Sequence, residues 1–577
     1  MPGLSDTRLG ATAMDLSRFG GTVSGLLKLR AEQLGSAPFA CSGAESRSYR
    51  ELNDRSNQVA AALTDLGLER GDCVATMLPN SMEYLDAWFG VARGGHVHVP
   101  VNIAYKQDHV EWVLGLAKAR AIVIDRCFTP VLEGILGRLT NLEHVIVVES
   151  EAASPSSTAR LESLGRPVTH HNWEQLTATA SSEFSAPSLS TADVASILFT
   201  SGTTGRSKGV VAPHGHHLHM GATTAAVQRL SSKDVLFTVL PLFHGNAQLT
   251  TVIAGMIAGA SVVISPRFSA RTFWDEVRSA GATQFNLLST MANVLLAAPP
   301  SARDREHNVR VMMGAPVPAD TLLRFERRFG GHIIEAFGST ELGMIAANPY
   351  DDRRPGSFGK VTPRGQIALL DESGAPVPLG EVGEVCYRPN SPHIMCMGYL
   401  DNSEASLEAM RGLWWHTGDL AREDGDGYYY FVDRQRDVIR HKGENVSSFE
   451  VEQAILALAG VEQAAVLAVP AELSEDEILA VVVPSDGCEI EITPEVVFGQ
   501  CDRRLPHFMV PRFIHVTKSV PTTETGRVNK ALLAGSDLVA QAWDAHGEGL
   551  HPTRLDRRRE RETSPSESQG QEGEIEQ

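Results

Sequence analysis

A ten-residue segment, residues 200–209, combines glycines, hydroxyl side chains and one lysine in a way that suits an anion. It reads TSGTTGRSKG. Glycine lets backbone N–H groups approach an anion closely, the hydroxyls can donate further hydrogen bonds, and the lysine adds positive charge. The apolar runs VASILF and VVA on its two sides predict a loop between two strands rather than a flexible surface turn. The expected phosphate-binding residues are Thr200, Ser201, Gly202, Thr203, Thr204, Gly205 and Lys208.

The same loop invites comparison with two common enzyme motifs. It does not fit the Walker A pattern G-x-x-x-x-G-K-[ST]. Residues 205–209 formally match the hydrolase pattern G-x-S-x-G, whose serine must lie on a turn from a strand to a helix. A β-branched pair follows this match, and glycine and threonine crowd its front, so the context disfavours a serine hydrolase.

Three further strings follow the loop in order: FGSTELG at 337–343, WHTGDL at 415–420 and DRQRDVIRHKGENVSSFEVE at 433–452. Together with the loop they resemble the motifs of the adenylate-forming (ANL) superfamily, which contains acyl-CoA synthetases, carrier-loading adenylation domains and luciferases. The resemblance extends over residues 22–535, and within the superfamily the sequence is most similar to carnitine-type and fatty-acyl CoA ligases. It implies an acid–thiol ligase that joins a carboxylic acid to AMP, using ATP and Mg²⁺, and then passes the acyl group to coenzyme A.

The resemblance assigns a nucleotide site to residues whose chemistry suits it. Phe337 offers a flat apolar face to adenine, at a position where the family usually has tyrosine. Thr340 can donate to the α-phosphate, and Glu341 can hold Mg²⁺, a hard cation that prefers oxygen ligands. Asp419 can accept hydrogen bonds from both ribose hydroxyls, and Arg434 can reach the ribose or a phosphate. The other residues implied to line the nucleotide and CoA sites are Gly314, Ala315, Pro316, Glu335, Ala336, Gly338, Ser339 and Lys442.

The resemblance also implies an acyl pocket and a thiol tunnel. His244, in the string PLFHGN, matches a gate between them, although an isolated histidine is more often a satisfied core residue. Gly443 matches the segment that lines the pantetheine tunnel, and Arg436 matches the hinge between two domains. The pocket candidates are mostly small or apolar, so an apolar acyl group is expected. They are His244, Asn246, Ala247, Leu288, Ser289 and Met344.

One position departs from the family pattern. Near its C-terminus the family carries P-x-x-x-x-G-K, whose lysine is the main cation of adenylation, but this sequence reads PTTETGRVNK and places Arg527 there. Adenylation brings two anions together, and a planar guanidinium is not equivalent to a compact ammonium at such a point. Losing an electrostatic clamp of this kind costs about 2.7–4 kcal/mol, or roughly a hundred- to thousand-fold in rate. The thiol step does not need this residue.

Three interpretations of this departure are open. Arg527 serves as the cation, Lys530 replaces it after a shift of the loop, or adenylation is impaired and a separate enzyme supplies the acyl-AMP. We favour the third, with an ordinary two-step ligase as the main alternative. A catalytically silent adenylate sensor and an enzyme that acylates a carrier-protein phosphopantetheine are further alternatives.

The elements that position these residues alternate along the chain. RELNDRSNQVAAALTDLG has apolar residues at helical spacing, CVATML has the composition of a strand, and a second helix is expected from Met82. The run HGHHLH at 214–219 is interpreted as the exposed start of a helix rather than a metal site. This alternation predicts an α/β fold with largely parallel strands, followed by a Gly/Pro-rich, strand-dominated region.

Length and spacing predict more than one domain. A chain of 577 residues is too long for a single core. Ser447 and Glu450 form a capping-box pattern at the first helix of a compact C-terminal part. The resemblance implies that this part is a small, mobile α+β domain, and that the large domain consists of α/β layers and a β-rich subdomain. The predicted divisions are a loose N-terminus at 1–20, a large AMP-binding domain at 21–433, a hinge at 434–437, the small domain at 438–540 and a disordered tail at 541–577.

Bulk composition narrows the function further. The formal net charge of −19 argues against general binding to nucleic acid or anionic membranes, which requires a basic face. The seven cysteines include no C-x-x-C pair, so neither a disulfide framework nor a structural zinc site is expected. The sequence shows no signal-peptide core and no apolar run of bilayer-spanning length. We expect a cytoplasmic enzyme whose partners are a small carboxylic acid, its adenylate, CoA and, if adenylation is impaired, an adenylating enzyme.

Overall fold

The chain divides between Val432 and Asp433 into two compact units, called here the large unit and the small unit. Each is described by itself. The computed structural model describes residues 15–103, 105, 107–149, 168–200, 207–314, 317–434, 438–441, 444–470, 476–485, 487, 491–505, 509–523, 528–534 and 537–552.

Strands and helices alternate through most of the large unit, as the sequence predicts for an α/β fold. The strands are β1 Pro38–Ser42, β2 Glu45–Ser48, β3 Cys73–Met77, β4 Val97–Pro100, β5 Ala121–Asp125, β6 His144–Val148, β7 Thr169–Asn172, β8 Val194–Thr200, β9 Lys208–Pro213, β10 Val235–Thr238, β11 Ser261–Ile264, β12 Gln284–Leu287, β13 Val311–Gly314, β14 His332–Ser339, β15 Gly343–Ala347, β16 Lys360–Val361, β17 Gly365–Leu370, β18 Val382–Pro389, β19 Trp415–Glu423 and β20 Tyr429–Arg434.

The helices of the large unit pack on and between its sheets. They are α1 Val23–Leu34, α2 Tyr49–Asp65, α3 Met82–Gly94, α4 Gln107–Leu116, α5 Trp173–Thr179, α6 His214–Val227, a π-helix at Asn246–Ile253, α7 Ala254–Ala258, α8 Phe273–Ser279, α9 Ser289–Ala297, α10 Ala319–Phe329 and α11 Ser403–Ala409, with 3₁₀ turns at Leu16–Phe19, Arg126–Leu132, Leu136–Arg138 and Arg411–Leu413. No helix in the described ranges is long and apolar enough to cross a bilayer.

Two sheets form the layers of the large unit. One has seven strands in the order β7-β6-β5-β3-β4-β8-β9, parallel except for the antiparallel pair β8–β9. The other has nine, β16-β15-β14-β13-β12-β10-β11-β1-β2, with a parallel centre from β14 to β1 and antiparallel edges. Helix α3 contacts β1 and β2 of one sheet and β3 and β4 of the other, so it lies between them, and all its residues except Glu83 are buried. The predicted α/β layering with largely parallel strands is confirmed.

Helix α2 shows why the predicted helix forms where it does. Ser48 precedes it, and the Ser48 hydroxyl accepts from the Glu51 N–H at 3.2 Å. The Glu51 carboxylate accepts in return from the Ser48 N–H at 2.7 Å, which completes a capping box. Leu52, Val59 and Leu63 lie buried on one face, as their spacing predicts.

A four-stranded sheet, β17-β18-β19-β20, forms the predicted strand-dominated region. Its β17–β18 and β18–β19 pairs are antiparallel. A hydrophobic cluster that includes Val385, Tyr387 and Trp415 covers one face and also draws in Leu342 of the β14–β15 turn. This packing joins the sheet to the end of β14, where several of the predicted site residues lie.

The small unit has its own core and its own sheet. Its elements are β21 Val438–His441, β22 Glu444–Ser447, α12 Ser448–Leu456, β23 Val461–Pro470, β24 Asp476–Pro484, α13 Pro494–Arg504, β25 Phe513–Val516, α14 Lys530–Ala534, a 3₁₀ turn at Val539–Gln541 and β26 Trp543–Asp544. Strands β23, β24, β25 and β26 form one sheet, and β21 pairs with β22. Helix α12 begins directly after Ser447, although the side chains of the predicted capping pair lie outside the described residues.

Three expectations from the sequence differ from the structure. The N-terminal stretch predicted to be loose contains the 3₁₀ turn Leu16–Phe19, whose apolar side chains are buried. The stretch predicted to start a disordered tail contains Trp543, which packs against Phe498 with β26 paired to β25. The histidines of 214–219, predicted to be exposed, are buried in α6. In all three cases tertiary packing overrides local polarity.

Candidate active site

The phosphate loop joins two antiparallel strands. Thr200 at the end of β8 pairs with Lys208 at the start of β9, and residues 201–206 between them lie outside the described residues. A hairpin connection is not the strand-to-helix turn that a nucleophilic serine requires, which agrees with the rejection of a hydrolase. The Trp112 indole on α4 donates to the Ser207 carbonyl at 2.9 Å and so fixes the end of the loop.

A tyrosine links the loop lysine to the predicted metal carboxylate. The Lys208 ammonium lies 4.8 Å from the centre of the Tyr399 ring, a cation–π contact. The Tyr399 hydroxyl donates to Glu341 Oε1 at 2.9 Å. Burial, together with the charge of Glu341, raises the pKa of Tyr399, so the phenol remains a donor. Two motifs that are far apart in the sequence therefore meet through a residue that sequence reasoning did not single out.

The turn that carries Thr340 and Glu341 is braced from several sides. The Ser339 hydroxyl accepts from the Leu342 N–H at 3.3 Å, and the Glu341 carbonyl accepts from the Cys396 N–H at 2.7 Å. The His216 Nε2 lies 3.1 Å from the Thr340 carbonyl oxygen. These contacts fix the backbone and leave the Thr340 hydroxyl to a ligand's phosphate in the family assignment.

The predicted adenine face is one end of an aromatic stack. Phe337 is half-buried and lies 4.6 Å from the Phe358 ring at an interplanar angle of 29°. Phe358 in turn stacks on Tyr429 at 5.9 Å and 11°. Next to Phe337, a side chain at Gly338 would clash with the Gly343 carbonyl oxygen, so only glycine fits the close approach of β14 to β15 there. The stack gives Phe337 a rigid backing on one face.

Glu335 and Ala336, which were also assigned to the nucleotide site, are buried in β14. Glu335 accepts from the Gly356 N–H at 3.0 Å, and burial raises the pKa of its carboxyl to about 8. Gly356 lies two residues before Phe358 in the connection between β15 and β16. The Glu335 side chain therefore fixes the loop that carries the ring stacked on Phe337.

Asp419 is presented by a bulge in β19. In the ladder with β18, Cys386 pairs with His416 and Glu384 pairs with Leu420, so three residues, 417–419, lie opposite Val385 alone. The Thr417 hydroxyl donates to the Val385 carbonyl at 2.8 Å and accepts from the Asp419 N–H at 3.1 Å. The bulge sets the backbone of Asp419 apart from the regular ladder.

Polar side chains are hydrogen-bonded to one another beside the residues of the predicted acyl pocket. The Asn286 amide, at the end of β12, donates to Asn246 Oδ1 at 2.8 Å and to the Thr250 hydroxyl at 2.6 Å. Asn246 and Ala247 lie at the start of the π-helix, a rare helix form that is frequent at functional sites. Leu288 and Ser289 are half-buried at the start of α9.

His244 precedes the π-helix and is half-buried. Burial lowers the pKa of its imidazole to about 4, so the ring is neutral near neutral pH. Its ring centre lies 4.7 Å from that of Phe243. A neutral, packed ring suits either of the two interpretations from the sequence, a gate or a core residue.

Met344 of the predicted acyl pocket and Gly314 of the predicted nucleotide site are closely packed by neighbouring side chains. Met344 is buried, and its N–H donates to the Met220 sulfur of α6 at 3.0 Å. A Cβ at Gly314, the last residue of β13, would lie 2.7 Å from a Val317 methyl group. Ala315 and Pro316, which follow Gly314, lie outside the described residues.

Three of the four histidines of α6, His214, His216 and His217, have structural partners. His214 Nδ1 accepts from the Val23 N–H at 3.3 Å, and His217 Nε2 lies 3.1 Å from the Ser196 hydroxyl. Burial lowers the pKa of His214 to about 4 and also lowers the pKa values of His216 and His217. They are neutral core residues, and His216 supports the Thr340 turn.

Several assigned residues of the small unit and the hinge lie outside the described residues: Arg436, Lys442, Gly443 and Arg527. Arg434 ends β20, and its side chain is likewise undescribed. Lys530, the proposed substitute for the missing lysine, is described. Its Nζ lies 2.9 Å from Glu452 Oε1 and 2.8 Å from the Ser448 hydroxyl, both on α12.

The donor set around Glu341 fits a hard cation. A carboxylate has two oxygens, and Tyr399 contacts one of them. Oxygen donors of this kind suit Mg²⁺, which keeps several waters and binds phosphates as well. Glu341 would hold the ion, and the ion would supply charge neutralisation on the phosphates.

The comparisons with known proteins agree with this arrangement. The sequence profile of "AMP-binding enzyme" matches residues 27–400, and that of "AMP-binding enzyme C-terminal domain" matches residues 450–527. A crotonobetaine/carnitine–CoA ligase from Escherichia fergusonii is 33% identical over 491 residues, which cover 84% of this chain and 92% of that protein. A second from Escherichia coli is 33% identical over 486 residues, covering 83% and 92%.

Solved structures give the same picture. The anthranilate CoA ligase AuaEII in complex with anthranoyl-AMP superposes with a TM-score of 0.81 at 25% identity, covering 92% of this chain and all of that one (100%). ATP-bound MatB from Rhodopseudomonas palustris superposes with a TM-score of 0.78 at 27% identity, covering 89% and 99%. The family resemblance read from the four motifs is confirmed: the chain belongs to the AMP-binding enzyme family, within the adenylate-forming superfamily of acyl-CoA ligases.

Proposed function

We propose that this protein forms an acyl-CoA thioester from a carboxylic acid through an enzyme-bound acyl-adenylate. The contact chain from Lys208 through Tyr399 to Glu341 carries the proposal, because it unites a phosphate-loop cation with a metal-binding carboxylate. Phe337 receives adenine, Asp419 receives the ribose, and Thr340 donates to the α-phosphate. The thiol of CoA then attacks the acyl carbon, the thioester bond forms and the bond to AMP breaks.

We further propose that the two half-reactions are unequal, with adenylation the slower. The family's lysine position holds Arg527, a poor match for a point charge between two anions. Lys530 is a weak candidate for the missing cation, because it already binds Glu452 and the Ser448 hydroxyl. Adenylation is expected to be slower by roughly a hundred- to thousand-fold than with lysine. A separate enzyme would then supply the acyl-AMP.

The first acids to test as substrates are those after which the related ligases are named. Their names indicate crotonobetaine, carnitine and anthranilate. Asn246, Thr250 and Asn286 are hydrogen-bonded to one another beside the proposed acyl pocket, so acids with a polar part are tested together with the apolar acids expected from composition.

Two parallel reactions with a panel of these acids test the proposal. One contains acid, ATP, Mg²⁺ and CoA; the other contains the preformed acyl-AMP and CoA. The proposal expects acyl-CoA rapidly from acyl-AMP, slowly from ATP, and a large gain in the ATP reaction on Arg527→Lys. Equal rates in both reactions would make this an ordinary two-step ligase. Replacing CoA by a phosphopantetheinylated carrier protein tests the carrier alternative, and AMP binding without any thioester would identify a silent sensor.

A further inference from the structure

A buried carboxylate lies directly behind the bulge that presents Asp419. The Glu384 side chain, on β18, is 6% exposed. Its Oε1 accepts from the Gly418 N–H at 2.9 Å. Its Oε2 accepts from His416 Nδ1 at 2.7 Å and from the Arg411 guanidinium at 3.1 Å. Three donors from one short stretch of chain, residues 411–418, therefore converge on a single carboxylate.

The backbone of the bulge depends on this carboxylate. Gly418 has φ of +73°, a left-handed conformation, so its N–H is turned out of the regular ladder. An N–H displaced in this way needs an acceptor from a side chain. Glu384 supplies it, Arg411 balances its charge, and His416 adds a hydrogen bond. Asp419 follows Gly418 directly, so its position depends on the same bond.

We propose that Glu384 is a positioning residue, which holds the 417–419 bulge so that the Asp419 carboxylate meets both ribose hydroxyls of the adenylate. The proposal rests on the proposed function, in which Asp419 binds the ribose. Glu384 itself touches no ligand. It acts through Gly418, in the way that supporting residues orient a binding group.

A metal site is the rival use of these side chains. Ligand atoms of Glu384, Cys386 and His416 lie within 4.8 Å of one another. However, Arg411 already pairs with the carboxylate. The Gly418 N–H and His416 Nδ1 also donate to it, so both carboxylate oxygens already accept hydrogen bonds within the protein. The geometry therefore points to a hydrogen-bonded brace.

Calorimetric binding of AMP and of 2′,3′-dideoxy-AMP to the full chain tests the brace. The wild type is expected to bind AMP more tightly than 2′,3′-dideoxy-AMP, because only AMP has the ribose hydroxyls from which Asp419 accepts hydrogen bonds. In Glu384→Gln the affinity for AMP is expected to fall by about 10-fold, and the affinity for the dideoxy nucleotide to stay unchanged. Glu408→Gln, an exposed change on α11, is the matched control and should keep the preference.

The outcomes separate the inference from its premise. If Glu384→Gln weakens both nucleotides equally, or neither, Glu384 does not position the ribose carboxylate. If the wild type shows no preference, the assignment of Asp419 fails and the inference fails with it. Stoichiometric zinc that is retained by the wild type and lost by Glu384→Gln would replace the brace by a metal site. If Glu384→Gln does not fold, Glu384→Asp keeps the charge, shortens the reach and should also reduce the preference.

Discussion

Replacing Lys530 by methionine is expected to destabilise the small unit and to leave adenylation as it is. The Lys530 ammonium binds Glu452 at 2.9 Å and the Ser448 hydroxyl at 2.8 Å. The side chains of the ion pair are 20% and 15% exposed, so solvent screens them only in part. Methionine keeps the length of the side chain and removes its charge.

The contacts set the size of the effect. An exposed ion pair contributes about 0.2–1 kcal/mol, and a hydrogen bond to a charged group contributes about 1.5–3 kcal/mol. Glu452 Oε1 also accepts from the Val466 N–H at 2.8 Å, which ties α12 to β23 and leaves this carboxylate fixed in place when the ammonium is removed. We expect a loss of about 1–3 kcal/mol in the free energy of unfolding, or about 2–12 °C in the melting temperature of a unit as long as Asp433–Gln577.

Calorimetry of the full chain measures its stability, and pyrophosphate exchange into ATP measures the rate of adenylation. Lys518→Met, at an exposed position, is the control for removing a positive charge from the same unit. Stability should fall for Lys530→Met alone, and the exchange rate should be the same in all three proteins. A hundred-fold loss of exchange with an unchanged melting temperature would refute this reasoning and make Lys530 the adenylation cation.

Three further predictions concern the large unit. Tyr399→Phe keeps the ring beside Lys208 but removes the hydrogen bond to Glu341. It should raise the Mg²⁺ concentration needed for the ATP reaction several-fold and leave the reaction of acyl-AMP with CoA unchanged. Mg²⁺ titrations of both reactions would check this. Glu335 has a carboxyl pKa raised from 4.5 to about 8, so the folded protein holds a proton that the unfolded chain has lost, and stability should fall as the pH rises between these values. Glu335→Gln should flatten that slope in urea unfolding followed from about pH 5 to about pH 9, and an unchanged slope would assign it to other groups. Phe358→Leu should weaken AMP binding about 3- to 10-fold in calorimetry by loosening the stack behind the adenine face, and an unchanged affinity would detach Phe358 from the site.

Much of the fold follows from patterns within single elements. The period of the apolar residues in α2, the apolar run of β3 and the start of α3 at Met82 are all local signals, and each element forms where its pattern predicts. The burial of the histidines of α6 could not be predicted in this way. Their side chains are polar in any local scale, but α6 packs against the π-helix and β15, and this packing buries them. Burial of that kind depends on the arrangement of distant elements.

The residues of the candidate site can be predicted from the sequence only where they are neighbours in the chain. Thr340 and Glu341 belong to a recognisable string, whereas Tyr399 lies 58 positions from Glu341 and Trp112 lies 95 positions from Ser207. Neither partner has a motif of its own. Glu384 was missed for the same reason, since a lone Glu after Gly in a strand has no chemical signature until the bulge opposite it is known.

The charges described in the large unit bear on why residue 527 matters. An incoming carboxylate must be neutralised before it can attack the α-phosphate, and His244 cannot do this near neutral pH because burial holds its pKa at about 4. Lys208 is assigned to the phosphates in the proposed function and already contacts the Tyr399 ring. In the family pattern the neutralising charge comes from a lysine, and Arg527 stands at its position in this sequence. Thioester formation makes no such demand, because the acyl-AMP no longer carries the carboxylate charge. Under the proposed function we therefore expect the substitution at this one position to slow the first half-reaction and to spare the second.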